Sequence, residues 1–560
     1  MIKKYNFYIL LTIIICLAAI LRFSYLSVFP PSMIQDEVGI GYSAISIAET
    51  GMDEWGNKYP LVFKSFGDYK APVFIYATAL LYKIIGWQEV LPRITSAIAG
   101  IFIVLLGGLW IKKIFKSSEM GLIGALILAV SPWTINLSRM ALESNLGLAF
   151  FMAGLLFMSY STKLFRNVIF SAIFFSLSTY TFHSFRYAVI IFLVSIIFST
   201  VVINFRELKS KVPAIKSLIF ILLLSTLFSL PGFLSKGSTN RLDQTLLFTS
   251  YNQIKLYEHY ENNCHGTFIE FNPKLTVICR LQYNKYSRFI LIGADSLIKH
   301  FSPGFYFFSG DAEAGRNPTG TGELFVFLLP VWMIGSLILL KKFKEYHIII
   351  VGYFISMIPS ASSGDPHATR LSILIPFMLV VLVLGYKYLK NYFKKYKIFV
   401  PFFIISLLIA SILFSIKYAV STFAEHEITS TYLSYAKKVT RIAHEYIQKG
   451  YVVYSDNDLF PEQHIYYAYW NQIDPLVTQK SFAQVSNEVD GFSRPKQFGE
   501  NLYFSEENIK TFNCSDTHGK PIVIITNDNR VNDIPSRIVK DNTNLYNFAY
   551  FYESDQKCSE

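Results

Sequence analysis

The chain has 560 residues, 52% of them hydrophobic and 16% aromatic, and a formal net charge of +12. A soluble chain of this size could not hide that much apolar surface, so the composition defines an integral membrane protein. The basic balance does not indicate nucleic-acid binding, because the Lys and Arg residues stand in short clusters between apolar segments.

The first element is an apolar run, ILLTIIICLAAILRFSYLSVF, preceded by Lys3 and Lys4. Arg22, bulky residues and Pro30-Pro31 follow it without a small-x-small cleavage site, so it reads as an uncleaved first helix. A spanning helix needs roughly 20 mostly apolar residues. On that measure, candidate spans start near residues 8, 93, 119, 144, 167, 187, 214, 324, 346, 370 and 398, about eleven in all. With Lys3 and Lys4 inside, the inside loops are KKIFK (112–116), TKLFRN (162–167), NFRELKSK (204–211), KKFKEYH (341–347) and YKYLKNYFKKYK (386–397). Every one is basic, as the positive-inside rule requires. The segment APVFIYATALLYKIIGW (71–87) is a rival span. Its marginal length and Lys83 favour an amphipathic helix at the outer interface. Residues 30–92 then form one large outer loop, and the C-terminus lies outside.

This topology gathers the polar segments that are not simply basic on the outer face. They are QDEVGIGY (35–42), KSFGDYKAP (64–72), NLSRMALESN (136–145), YTFHSFRY (180–187), FSGDAEAGRNP (308–318) and SSGDPHATR (362–370). Carboxylates come from Asp36, Glu37, Asp68, Asp311 and Asp365, and cations from Lys70, Arg93, Arg139, Arg186 and Arg370. A carboxylate beside fixed cations suits a reaction in which a hydroxyl loses its proton while a phosphate departs. The bland alternatives are a solvated Asp-Glu pair, arginines reaching for headgroups, and His183 and His367 as interfacial hydrogen-bonders. Gly39, Gly41, Gly67 and Gly364 read as turn residues at these helix mouths. The shared face is what favours the chemical reading.

The long segment 234–323 contains Cys264 and Cys279, for which a disulfide and two free thiols are both open; the same holds for Cys514 and Cys558. From about residue 417 the chain turns polar. TYLSYAKKVTRIAHEYIQKG (431–450) has helical periodicity and a Gly stop. YVVYSD (451–456), IVIITND (522–528) and LYNFAYFY (545–552) read as strands. The expected organisation is a transmembrane module, 1–416, followed by a small extracytoplasmic α/β domain, 417–560.

An acidic residue just after the first helix, a long outer loop, a Lys-x-Pro element (Lys70-Ala71-Pro72) and LPRITSA (91–97) together resemble the GT-C membrane glycosyltransferases. The resemblance covers residues 1 to about 390 and is to the bacterial branch related to protein O-mannosyltransferases and lipid A aminoarabinose transferases. It implies a mainly α polytopic bundle and a sugar donor carried on polyprenyl phosphate at the outer side of the membrane. It further implies Asp36 as catalytic carboxylate with Glu37 completing the pair, and Lys70 as phosphate contact with Arg93 beside it. Arg139, Arg186 and GDPHATR match positions of the branch; Arg139 and Arg186 join Lys70 and Arg93 as candidates for binding the donor phosphate, and Asp68, His183, Asp311, His367 and Arg370 are candidates for substrate binding. Ala71 replaces a proline of the family element, and Tyr69 stands where the aminoarabinose transferases have a glutamate. That substitution and the lack of D-x-D at the first-loop site lean against a divalent metal, so no cofactor is expected and a divalent metal stays as the less favoured alternative. The acceptor, whether lipid, protein or glycan, is not specified. Competing readings are an envelope polymerase or ligase using a pyrophosphate-linked donor, and a transporter. A transporter would place its charges near mid-membrane.

Overall fold

The computed structural model describes residues 4–65, 68–235, 285–313, 317–318, 320–424, 433–483, 495–505, 520–527, 535–540 and 547–554. Cys264, Cys279, Cys514 and Cys558 lie outside the described residues, as does Gly67.

A helix stands at each of the eleven expected places. Those up to residue 233 are α1 (Lys4–Phe23), α4 (Leu91–Phe115), α5 (Ser118–Val130) running on into α6 (Pro132–Arg139), α7 (Glu143–Met158), α8 (Phe165–Thr179), α9 (His183–Ile203) and α10 (Leu208–Phe233). The later ones are Leu329–Lys341, Phe343–Ile355, Ile375–Tyr392 and Phe399–Ala424. Six spans among the described residues are long and apolar enough to cross a bilayer, or seven if the α5–α6 pair, bent by 54°, is one span. Of the others, α7, α8 and Val326–Lys341 are apolar but shorter. The bend falls at Ser131-Pro132, where the ring of proline cannot continue the preceding helix.

The chain folds as two compact units. The first comprises Met1–Ala18, Ile101–Thr134 and Ser144–Ala410. Within it, helices Leu329–Lys341 and Ile375–Tyr392 touch backbone to backbone. A Cβ on Gly335 would lie 1.9 Å from the Val381 carbonyl oxygen, and one on Gly385 1.9 Å from that of Val331. Small residues at such a crossing are the membrane solution to close packing, since lipid tails give no hydrophobic drive between helices. Phe151 anchors an aromatic cluster with Phe175, Phe185, Phe192 and Phe377 at centroid distances of 5.4 to 6.1 Å. By contrast, α10 leaves Phe220, Leu223 and Leu227 exposed, as a lipid-facing helix does.

The second unit comprises Ala19–Gly100, Ile135–Glu143 and Ser411–Glu560. Here the outer loop is more ordered than its sequence indicates. Gln35–Thr50 is a helix, α2, followed by a hairpin of β1 (Phe63–Ser65) and β2 (Asp68–Lys70) and by α3 (Pro72–Ile85). Gly39 and Gly41 therefore do not turn the chain but sit inside α2. Gly41 serves close approach, because a Cβ there would meet the Tyr469 ring at 2.6 Å. Gly364 does turn the chain, with φ of 116°. Pro72 opens α3 at its first position, where its missing N–H costs nothing. On α3, Phe74, Ile75, Thr78 and Ala79 are buried while Leu80 and Ile84 are exposed.

The polar C-terminal part carries a six-stranded mixed sheet in the order β4-β5-β3-β6-β8-β7. Its parallel centre is β5 (Leu502–Ser505), β3 (Val452–Asp456) and β6 (Ile522–Thr526). The antiparallel strands β4 (Gln497–Phe498), β8 (Asn547–Ser554) and β7 (Arg537–Lys540) complete it. Helix Ala436–Gln448 buries Val439, Ala443 and Tyr446 in one core with Val453, Val523 and Phe551. The same core continues into Met33, Val38, Tyr42 and Ile45 of the first loop. Polar ties reinforce the contact: Tyr42 Oη donates to the Ile473 carbonyl at 3.0 Å, and Tyr469 Oη to that of Glu89 at 3.1 Å. Where sequence periodicity gives one helix and three strands, the structure adds helices Gln463–Trp470 and Pro475–Phe482 and strands β4, β5 and β7. The short strands are too brief to show a period.

Candidate functional site

Asp36 and Glu37 occupy the first turn of α2. Carboxylates are favoured there because the backbone N–H groups are unpaired and the helix dipole is positive. Their environments differ completely. The Glu37 side chain is fully buried and accepts four hydrogen bonds. Its Oε1 takes Arg93 Nε and the Ala141 N–H, both at 2.8 Å. Its Oε2 takes Arg93 Nη2 at 2.8 Å and the Ile34 N–H at 3.0 Å.

Arg93, also buried, adds bonds from Nη1 to the Leu26 and Pro30 carbonyls at 3.3 and 2.9 Å and one from Nη2 to the Ser32 carbonyl. That employs the five N–H groups a guanidinium possesses. Arg139 acts similarly. Its Nη1 donates to the carbonyls of Leu21 (2.9 Å) and Arg22 (3.4 Å), and its Nη2 to those of Tyr25 (3.3 Å) and Phe29 (2.8 Å). The guanidinium lies 5.7 Å from the Tyr418 ring centroid. Two arginines from separate helices thus bind the carbonyls of residues 21–32, the last turn of α1 and the connection to α2. They satisfy backbone groups that a helix end leaves unpaired.

Asp36, in contrast, is 53% exposed, and its carboxylate is paired with the ammonium of Lys70, whose side chain is only 3% exposed. Lys70 ends β2, in register with Phe63, one residue before Ala71 caps α3. The hairpin and the proline-started helix therefore fix the lysine, and α2 fixes the acid. Asp68 belongs to β2, but its side chain lies outside the described residues.

A further acid, missed in the sequence, adjoins this pair. Glu54 is buried, and its carboxyl is pushed up to about 8, first by burial and then by Asp53, with Lys70 acting in the opposite sense. Neither of its oxygens has a hydrogen-bond partner among the described residues. Its neighbour Asp53 is spent on a turn, accepting from the Trp55 N–H at 2.9 Å and the Asn57 N–H at 2.8 Å. An acid in the polar stretch MDEWGN carries no signal of burial.

The remaining predicted residues lie in the first unit. His183 and Arg186 are in the first turn of α9, and Arg186 is buried with its guanidinium 5.8 Å from the Phe233 ring centroid. Asp311 and His367 come together with Glu313, their ligand-type atoms all within 4.8 Å of one another. Arg370 Nη1 donates to Ser363 Oγ at 2.7 Å.

Solved structures share this fold. ArnT from Cupriavidus metallidurans bound to undecaprenyl phosphate matches with a TM-score of 0.55 at 9% identity, covering 98% of each chain. The apo state of the same protein gives 0.52 at 10% identity over 96% of this chain and 97% of that one. The Archaeoglobus fulgidus oligosaccharyltransferase, tethered with an acceptor peptide, gives 0.50 at 12% identity over 83% of this chain. This chain spans 63% of the length of that archaeal protein. No protein-family model and no curated protein matches the sequence. The chain thus shares its fold with ArnT and with the archaeal oligosaccharyltransferase.

Proposed function

We propose that the protein is a GT-C glycosyltransferase that moves a sugar from a polyprenyl-phosphate carrier to an acceptor hydroxyl at the extracytoplasmic face of a bacterial plasma membrane. The observation that carries this reading is the Asp36–Lys70 pair, a half-exposed acid held against a buried ammonium at a helix N-terminus. The undecaprenyl phosphate bound to ArnT supports a polyprenyl-phosphate donor.

In this mechanism the donor phosphate enters beside Lys70 and takes over its ammonium. Charge-assisted bonds to phosphate are among the strongest a lysine makes. Asp36, released from the ion pair, becomes the general base. The acceptor oxygen attacks the anomeric carbon as its proton passes to Asp36. The bond from that carbon to the phosphate oxygen breaks, its electron pair leaves with the polyprenyl phosphate, and the configuration inverts. Glu37, Arg93 and Arg139 hold the segment from which Asp36 projects and make no contact with the substrate. A wholly apolar carrier tail explains why the reaction is built into a membrane protein.

The test is transfer by the purified protein reconstituted with a synthetic polyprenyl-phosphate sugar and a lipid or glycan acceptor pool. Wild type is expected to release polyprenyl phosphate and Asp36→Asn to do so at least a hundredfold more slowly, the usual scale for losing a general base. Equal rates for the two would remove Asp36 from the chemistry. Turnover only with a pyrophosphate-linked donor would replace this reading by the polymerase or ligase class.

A further inference from the structure

We propose that Asp311, Glu313 and His367 form a binding site for a divalent transition-metal ion of the Zn²⁺ or Mn²⁺ class. The three side chains come from two separate segments of the first unit, and each offers one ligand atom within 4.8 Å of the others. Ligands around one such ion stand roughly 3.5 Å apart, so an adjustment of about 1 Å completes the set. Imidazole with two carboxylates is a donor set for first-row transition ions; Mg²⁺ and Ca²⁺ take oxygen almost alone.

The groups are also oriented as ligands. His367 Nδ1 lies 2.8 Å from Thr369 Oγ1 and 3.7 Å from Asp311 Oδ2, and its Nε2 lies 2.9 Å from Glu313 Oε2, so the ring stands between the two carboxylates. Asp311 is buried, and backbone groups hold both of its oxygens: the Glu313 N–H at 3.0 Å on Oδ1 and the Ala368 N–H at 2.7 Å on Oδ2. Behind it stands Glu323, 1% exposed, whose Oε1 accepts the Asp311 N–H at 3.2 Å. Its Oε2 is buried with no hydrogen-bond partner among the described residues.

Trp133 makes the platform rigid. Its backbone N–H donates to the Glu323 carbonyl at 3.0 Å, and its indole N–H to the Ala368 carbonyl at 3.0 Å. Both ligand-bearing segments are thus tied to one residue before any ion binds.

The experiment uses the full chain, purified in detergent and stripped with EDTA, then exposed separately to Zn²⁺, Mn²⁺ and Mg²⁺. Retained metal is measured by inductively coupled plasma mass spectrometry beside a thermal-shift titration. Wild type is expected to hold one equivalent of Zn²⁺ or Mn²⁺ and no Mg²⁺. Glu313→Gln and His367→Gln are each expected to bind at least about tenfold more weakly. Asp365→Asn, which alters only the exposed pair with Lys299, should bind as wild type does. Glu313 is exposed, so its variant decides the matter even where His367→Gln folds poorly. No EDTA-reversible ion in wild type, or undiminished binding by both cluster variants, would overturn the proposal. These readouts do not depend on any transfer reaction.

Discussion

Replacing Glu37 by Gln tests the division of labour between the two adjacent acids. The substitution keeps the volume and removes the charge from a site where Arg93 is 1% and Glu37 0% exposed. Glu37 accepts four hydrogen bonds, two of them from Arg93. A glutamine keeps one oxygen as acceptor and turns an NH2 group towards the other donors. Arg93 is then left as a buried cation without its counter-charge. Breaking a buried, hydrogen-bonded pair in this way costs about 3–5 kcal/mol. The expected result is a clear fall in thermal midpoint, followed by the fluorescence of the six tryptophans during heating in detergent. Arg93→Gln should fall comparably. The double variant should fall by less than the sum, with a coupling of about 0.5–3 kcal/mol. A Glu37→Gln protein that melts with wild type would refute the scaffold role and return Glu37 to the chemistry.

Lys70→Met should behave in the opposite way. Asp36 is half-exposed and is solvated when its partner goes, so the melting temperature should stay near wild type. Turnover, measured as released polyprenyl phosphate, should drop about 10²–10³-fold, the scale for losing one group that stabilises departing charge. Glu54 gives a pH prediction. Its carboxyl is raised from 4.5 to about 8 when folded, so between those values the folded chain holds a proton that the unfolded chain has lost. Stability should therefore decline as pH rises through that window, and Glu54→Gln should flatten the decline in a series of melts from pH 4.5 to 8. Gly385→Ala should destabilise the first unit, because its Cβ would meet the Val331 carbonyl oxygen at 1.9 Å; an unchanged melt would show that the crossing relaxes freely.

Much of the membrane part was legible because apolar runs and basic clusters are written in residue types. The helix starts near 93, 144 and 398 needed nothing else. Strands β3, β6 and β8 were legible for the same reason, being runs of Val, Ile and aromatic residues bounded by polar turns. Helix α2 was not. Its glycines and serines imitate a loop, and its apolar side chains find their partners in Tyr466 and Tyr469, more than 400 residues away. The uses of Arg93 and Arg139 were hidden for another reason. Their acceptors are backbone carbonyls, which every residue has, so no residue type marks them. Glu313 went unread because only folding brings residues 311–313 to 367. Asp36 and Lys70 were singled out from chain position and resemblance, and the structure joins them in an ion pair.

Contact between Lys70 and a lipid-linked phosphate is central to the proposed transfer. Mass spectrometry of the lipids retained through mild-detergent purification tests this directly, with wild type beside Lys70→Ala. A polyprenyl monophosphate, with or without one sugar, should be abundant on wild type and depleted on the variant. Equal retention of that lipid by both, or bulk phospholipid alone on both, would contradict the claim.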